Sequence, residues 1–153
     1  MSLAVNPPLR LLVAFQQAYR TTTPDWIVQV PDREMWVAAS ARGDEIYTIV
    51  TPDLEARTAF NQRTAKTRRT AMNRPLPRWA RYVAGVMLVL ANDGWGVPGL
   101  DVALAGEEPS GPRYDYALGM AQAALLHEIH HQPYTTRILL NIVDRVQRDY
   151  VDG

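Results

Sequence analysis

The feature that most constrains the fold is a long apolar segment at residues 79–92, whose pattern predicts a helix. It carries more large apolar side chains than one helix face can hold: Tyr82, Val83, Val86, Met87, Leu88, Val89 and Leu90. Such a helix is expected to be buried on most sides. Strands and further helices elsewhere in the chain must therefore pack around it.

Further elements follow this helix in a regular order. Residues 100–104 have a strand pattern, residues 116–130 predict an alanine-rich helix, and a last amphipathic helix begins at Thr135 or Thr136. A Gly/Pro-rich turn, residues 106–113, joins the strand to the alanine-rich helix. A helix N-terminus after such a turn can present free N–H groups to phosphate. The same pattern also suits an ordinary connection.

The first part of the chain predicts one helix and three strands. Asn6, Pro7 and Pro8 start a helix that Thr21 to Pro24 end, and strand patterns follow at 26–30, 35–39 and 46–50. Arg42, Gly43 and Asp44 lie between the last two strands and predict a hairpin turn. Together with the later elements, this order gives an α+β fold.

Half of the positively charged residues lie in residues 57–81. This segment has no Asp or Glu, and it contains eight of the 16 Lys and Arg residues: Arg57, Arg63, Lys66, Arg68, Arg69, Arg74, Arg78 and Arg81. The cluster would suit a phosphate, a nucleotide or an acidic partner. The alternative is a solvated loop, which Pro75 and Pro77 favour because proline interrupts a helix. Residues 56–78 are therefore predicted to be a basic loop or linker.

Composition excludes several function classes. The formal net charge is zero, so no overall field indicates nucleic acid or a membrane as a partner. The stretch from Arg63 to Arg78 has no aromatic residue for stacking single-stranded bases. The absence of cysteine excludes a disulfide framework and thiolate catalysis. No apolar run reaches the ~20 residues of a membrane span, and no secretory signal pattern opens the chain. A single cytoplasmic domain over residues 1–153 is expected.

One short motif has metal-binding spacing. The run His127-Glu128-Ile129-His130-His131 matches H-E-x-x-H. On a continuous helix His127 and His131 would lie one turn apart and could share a zinc ion, with Glu128 as general base. Pro133 lies two residues after the motif, and the only downstream acids are Asp144, Asp149 and Asp152. The motif therefore makes a small zinc metallopeptidase one functional alternative, ranked third behind two other hypotheses.

Five segments in sequence order carry a family resemblance. They read DREMWVAA at 32–39, WARYVAGVMLVL at 79–90, VPGLD at 97–101, GEEPSG at 106–111 and QRDYVDG at 147–153. These segments resemble the N-terminal domain of galactokinase, a member of the GHMP family of small-molecule kinases, over most of residues 12–153. The resemblance implies a layered GHMP kinase N-terminal domain-like fold, with Mg·ATP as the nucleotide.

The resemblance is interrupted at the family's phosphate loop, P-x-G-A-G-L-S-S-S-A-A. Pro109 and Gly111 agree with the start of this loop, while Pro112 and Arg113 stand where the family has Ala and Gly. The small residues let backbone N–H groups close on the phosphates, and a serine hydroxyl helps to hold the metal ion.

Bulky and acidic residues replace the rest of the loop. Tyr114, Asp115 and Tyr116 stand at or next to the positions of the leucine and the serines. Arg113 would fill phosphate space while its charge attracts anions, and Asp115 would cap the helix that follows. If nucleotide binding is retained, the resemblance implies a site formed by Pro109, Ser110, Gly111, Arg113 and Asp115.

Two functional parts of the family pattern have no counterpart. The segment APGRVNLIGEHTDY, whose Glu, His and Asp contact sugar hydroxyls, is missing between Val30 and Glu34. The CGIMDQ segment with the family's catalytic Asp, and the C-terminal domain that closes its active site, would follow Gly153. No catalytic residue is therefore assigned, and nothing supports sugar binding.

The leading hypothesis is a degenerate GHMP kinase-like domain, a pseudoenzyme that binds a partner and has no sugar kinase activity of its own. The alternative is half of a split ATP-dependent sugar kinase that needs a separate C-terminal domain, with Mg·ATP as cofactor. A domain without its second half would expose a sheet face or edge, so self-association is also expected.

Overall fold

The structure, a computed structural model, describes residues 7–20 and 23–152 of the chain. The strands in this part of the chain are β1 (Trp26–Gln29), β2 (Met35–Ala41), β3 (Tyr47–Thr51), β4 (Ala56–Phe60) and β5 (Leu100–Gly106). The helices are α1 (Leu9–Ala18), α2 (Gln62–Lys66), α3 (Arg78–Asn92), α4 (Pro112–Ile129) and α5 (Thr136–Val146). One turn of π-helix, Gln147–Val151, extends α5.

The strands form one mixed sheet in the order β1-β2-β5-β3-β4. β2 and β5 pair antiparallel in its interior, from Met35 opposite Gly106 to Ala41 opposite Leu100. β3 lies parallel to β5 on the other side. The sequence prediction of an α+β fold is confirmed.

The predicted hairpin between β2 and β3 is wrong, because β5 lies between these two strands. β5 is buried along nearly its whole length, because β2 and β3 cover its edges and helices cover both of its faces. The turn after β2 is instead fixed to the start of β5. The backbone N–H of Arg42 donates to the Gly99 carbonyl (2.9 Å), and its guanidinium pairs with Asp44 (2.9 Å) and Asp101 (2.7 Å).

Helices cover both faces of the sheet. α3, α4 and α5 contribute to the main apolar core with Val102 and Leu104 of β5. α1 covers the opposite face, where Leu11 and Phe15 pack with Ala103 of β5. The apolar helix is confirmed at Arg78–Asn92, and it packs against α2, α4 and α5. Burial on several sides explains why its sequence lacks a polar face.

The segment 56–78 is not a continuous loop, contrary to the sequence prediction. It contains edge strand β4 and helix α2. The buried side chains of Phe60, Ala65 and Leu76 anchor it to the core. These few apolar residues outweigh the charge around them, since burying each one is favourable while the cations stay solvated. Only residues 67–77 form a connection.

The ends of the outer helices agree with the sequence where they are described. α1 covers most of the predicted helix, while Asn6, Thr21 and Thr22 lie outside the described residues. Thr135 is the N-cap of α5, and its hydroxyl accepts from the N–H of Ile138 (3.3 Å). Among the described residues, none of the helices combines the length and the apolarity needed to cross a bilayer.

Candidate functional site

The turn between β5 and α4, here called the β5–α4 turn, spans residues 106–113. α4 begins at Pro112, four residues before the predicted start. Gly111 precedes the helix with a φ of 118°, a value that favours glycine. Pro112 takes the first helical position, where a missing N–H costs no helical hydrogen bond. The positive end of α4 therefore faces this turn.

Asp115 does not cap α4, contrary to the prediction. It lies inside the first turn of the helix, because Gly111 holds the position before the first helical residue. Burial raises the pKa of Asp115 above its ordinary value, and the nearby charge of Arg78 partly offsets this rise. The carboxylate nevertheless adds negative charge at the end of the helix where a phosphate would be held.

Asp53, two residues after β3, holds the β5–α4 turn from the side of the sheet. Its Oδ2 accepts hydrogen bonds from the Gly106 N–H (2.8 Å) and the Tyr114 hydroxyl (2.7 Å), and its Oδ1 accepts from Arg10 Nε (2.9 Å). Arg10 also donates to the Gly106 carbonyl and to Glu107 (2.7 Å). One carboxylate therefore links α1, the end of β3, the end of β5 and the start of α4.

Tyr114 fills the space beneath the first turn of α4. It is 1% exposed. Because its only hydroxyl proton is donated to Asp53, the Thr51 hydroxyl is the donor in the hydrogen bond between Thr51 and Tyr114. Burial is the main cause that raises the pKa of Tyr114 far above its ordinary value. A neutral phenol thus fills the space directly beneath the first turn of α4.

Ion pairs occupy the outer side of the turn. Glu108, whose side chain is only 11% exposed, pairs with Arg33 at 2.8 Å. Arg113 is the one cation within the turn itself, and its exposed side chain lies 4.0 Å from the same Glu108. Arg10 is engaged by Asp53 and Glu107. Each cation near the turn therefore already has a carboxylate beside it.

These residues do not fit a nucleotide phosphate. A phosphate needs free N–H donors and uncompensated positive charge. Pro109, Ser110 and Gly111 are exposed, but the adjoining space holds Tyr114 and several carboxylates. In the described part of the chain, no group of three or more His, Asp or Glu side chains could hold a metal ion. We call the β5–α4 turn closed in the sense that Tyr114 fills its inner side and each cation at the turn already has a carboxylate beside it.

The H-E-x-x-H motif lies at the opposite end of α4, and the helix ends inside it. α4 stops at Ile129, and His131 lies beyond the end with a φ of 53°. A shared zinc ion on one helix face requires the helix to continue through both histidines. That premise of the zinc hypothesis is therefore wrong.

His127 is a core residue instead. It is 4% exposed, and its Nδ1–H donates to the Ala123 carbonyl (2.7 Å). Its ring packs against Trp95 and Tyr134, with ring centroids 4.8 and 5.4 Å away. Glu128 accepts a hydrogen bond from the Tyr134 hydroxyl (2.7 Å). The motif closes one end of the apolar core.

The residues that organise the β5–α4 turn were missed in the sequence. Arg10 lies 43 residues from Asp53 and 97 from Glu107. No spacing rule connects such distant positions. The only local signal is that Thr51 and Asp53 follow directly on a predicted strand, where polar side chains from neighbouring strands meet.

No protein-family profile and no curated protein match the sequence of the chain significantly. Solved structures do match its fold. Galactokinase from Lactococcus lactis, solved with galactose, matches with a TM-score of 0.62 and 16% identity, over 80% of this chain and 31% of that one. Mevalonate kinase from Methanococcus jannaschii matches with a TM-score of 0.57 and 7% identity, over 76% and 37%.

A further mevalonate kinase structure matches with a TM-score of 0.54 and 8% identity, over 76% of this chain and 37% of that one. The chain thus spans about a third of the length of these kinases. At such low identities the likeness concerns the fold. The chain has the α+β fold of GHMP kinase N-terminal domains.

Proposed function

We propose that this chain is a non-catalytic binding domain built on the GHMP kinase N-terminal fold. The closed β5–α4 turn carries the proposal. Arg10 and Tyr114 both donate to Asp53, so these donors are already engaged on the inner side of the turn. A nucleotide on the exposed side would meet the carboxylates of Glu107 and Glu108. Arg113, the one cation within the turn, already lies beside Glu108.

Thermal unfolding with millimolar Mg·ATP tests this proposal. A ligand at 100 times its dissociation constant adds about 2.7 kcal/mol of stability, which would raise the midpoint by several degrees. We expect no shift, with Lactococcus lactis galactokinase as the positive control. A shift that is lost in Arg113→Ala would place nucleotide at the turn and contradict the proposal.

The second candidate is half of a split sugar kinase, completed by a separate C-terminal domain. The observation that favours it is the exposure of apolar side chains on α1, where Leu9 is 75% and Val13 43% exposed. Residues four apart lie on the same helix face, so a second chain could cover both. Mixing the chain with a GHMP kinase C-terminal domain should then restore sugar phosphorylation.

The same apolar face also supports self-association, which light scattering can measure. A dimer that becomes monomeric in Leu9→Glu/Val13→Glu would locate the contact on α1. A wild-type monomer that gives no complementation with a C-terminal domain would contradict both uses of this face.

A further inference from the structure

The surface around α2 lies apart from the β5–α4 turn and contains two clefts. Two adjoining clefts of about 480 and 530 Å³ are both lined by Gln62 and Lys66. The first lies between α2, α3 and the π-helical turn, and the second reaches toward Glu45 and Tyr47 at the start of β3. We call the two clefts together the α2 groove.

Positive charge at the α2 groove is uncompensated. Arg63, Lys66 and Arg68 form no ion pair within the described residues. Two carboxylates also line the groove, Glu45 and Asp149, and Asp149 pairs with its neighbour Arg148 at 3.1 Å. Arg145 also lines the first cleft, where Asp93 pairs with it at 2.9 Å. The cations that line the groove without an ion pair in the described chain are therefore Arg63 and Lys66, while Arg68 lies in the segment that follows α2.

The floor of the first cleft is apolar. Leu88 and Val89 of α3 line it and are only partly buried. Tyr150 forms a wall, and its hydroxyl donates to the Ala65 carbonyl, which ties the π-helical turn to α2. Burial raises the pKa of Tyr150 to about 12, and the nearby charges of Arg68 and Arg81 act in the opposite direction.

We propose that the α2 groove binds an acidic amphipathic segment of another polypeptide. Its apolar residues would contact Leu88 and Val89, and its carboxylates would pair with Arg63, Lys66 and Arg68. This inference rests on the proposed function, because it identifies the surface through which the binding domain would contact its partner. It uses no residue of the β5–α4 turn.

The chemistry of the α2 groove favours a polypeptide over other polyanions. Nucleic acid carries no aliphatic side chains to cover Leu88 and Val89, and the stretch from Arg63 to Arg78 offers no aromatic ring for stacking. Binding to a membrane surface would need several exposed apolar residues beside the groove. Among the large apolar residues exposed in the described chain, Met72 alone lies in the segment that joins α2 to α3, so a membrane fits this surface less well than a polypeptide does.

Fluorescence anisotropy of the full chain with a labelled synthetic peptide of Glu and Leu, patterned as an amphipathic helix, tests this proposal. The same peptide with Lys in place of Glu is the ligand control. We expect binding of the acidic peptide only. Arg63→Glu/Lys66→Glu should weaken it by about tenfold or more, because two attractions become repulsions.

A charge-matched control separates a local contact from the overall field. Arg20→Glu/Arg137→Glu makes the same charge change at two exposed positions, the first just after the end of α1 and the second in α5. This control should leave the affinity within about twofold. Leu88→Gln should weaken binding even at high salt, since the floor contact is not electrostatic. Circular dichroism and the unfolding midpoint verify that each variant is folded.

The proposal is overturned if the wild-type chain does not bind the acidic peptide, or if both charge variants lose it equally. It is also overturned if a DNA duplex or phosphatidylserine vesicles bind more tightly than the peptide and lose binding in Arg63→Glu/Lys66→Glu. The two proposals fail separately. Mg·ATP binding at the turn would contradict the proposed function, whereas loss of peptide selectivity would contradict this inference alone.

Discussion

The β5–α4 turn and the α2 groove are both rich in charge but use it in opposite ways. At the turn, Arg10 and Arg33 contact Asp53, Glu107 and Glu108 at 2.7 to 2.9 Å. At the groove, the cations of α2 contact no carboxylate in the described chain. Charge density along a sequence therefore does not indicate which charge a partner can reach.

Burial explains the different roles of these charges. The side chains of Asp53 and Glu108 are 13% and 11% exposed, so each needs its partner to offset lost hydration. The cations of the groove are solvated and contribute little to folding. Mutations at the turn should accordingly lower the stability of the fold, whereas mutations at the groove should weaken binding.

The largest expected effect is at Asp53. Asp53→Ala would leave the Gly106 N–H, the Tyr114 hydroxyl and one Arg10 donor without their acceptor. We expect a loss of about 3 kcal/mol in the free energy of unfolding, measured with urea. Asp53→Asn keeps one acceptor oxygen and should lose less. A loss under about 1 kcal/mol would mean that the turn is not held by this carboxylate.

The next effect tests whether the wall of the α2 groove is rigid. A Cβ on Gly85 would lie 2.4 Å from Val146 Cγ1 and 2.9 Å from Tyr150 Cδ2. Gly85→Ala should therefore cost about 1 to 2 kcal/mol, even though alanine favours a helix by about 1 kcal/mol.

Gly119→Ala in α4 is the matched control for this substitution. The nearest atom to its added Cβ would be Val143 Cγ1 at 3.2 Å, so overpacking and helix propensity should nearly cancel. If Gly85→Ala is as well tolerated as Gly119→Ala, the wall of the groove yields and its shape is not fixed.

Alkaline pH should separate the two regions through their tyrosines. Burial raises the pKa of Tyr114 far above 10.0, and it raises that of Tyr150 to about 12. Above pH 10 the unfolded chain loses these protons first, so stability falls as pH rises, by at most about 1.4 kcal/mol per pH unit for each phenol.

The phenylalanine variants show which phenol is responsible. Tyr114→Phe should flatten the decline throughout the alkaline range, and Tyr150→Phe only between about pH 10 and 12. Urea unfolding at several pH values measures both slopes. Equal slopes in the wild type and in Tyr114→Phe would show that this phenol does not ionise differently on folding.

The smallest expected effect on stability is at the α2 groove. Arg63→Ala/Lys66→Ala should change the free energy of unfolding by less than about 0.5 kcal/mol, because neither cation has an acidic partner among residues 7–20 and 23–152. Urea unfolding at low and high salt provides the measurement. A loss comparable to that of Asp53→Ala would remove the distinction between the two regions.

Local patterns predicted those parts of the fold that depend on neighbouring residues. The apolar helix α3, the positions of β1, β2, β3 and β5, and the Thr135 cap of α5 follow from periodicity and capping within one segment. Strand β4 and the order of the strands did not follow. β5 enters between β2 and β3 after a long connection, and no local pattern identifies the strands with which it pairs.

The candidate site was harder to predict than the fold. Departures from the phosphate loop were visible in the sequence at Arg113, Tyr114 and Asp115. Their roles depend on residues outside the loop pattern itself, since Gly111 takes the capping position and the distant Asp53 accepts from Tyr114. The end of α4 at Ile129 also interrupts the H-E-x-x-H motif, which spacing alone identifies as metal-binding.

An amide NMR spectrum, titrated first with Mg·ATP and then with the acidic peptide, tests most directly whether the turn is closed and the groove open. With Mg·ATP we expect no saturable shift at residues 106–115. With the peptide we expect saturable shifts at residues 62–68 and 85–92. Saturable movement of the Gly106 and Gly111 amides with Mg·ATP, without movement around α2 with the peptide, would show that the turn is open to nucleotide and that the groove does not bind the peptide.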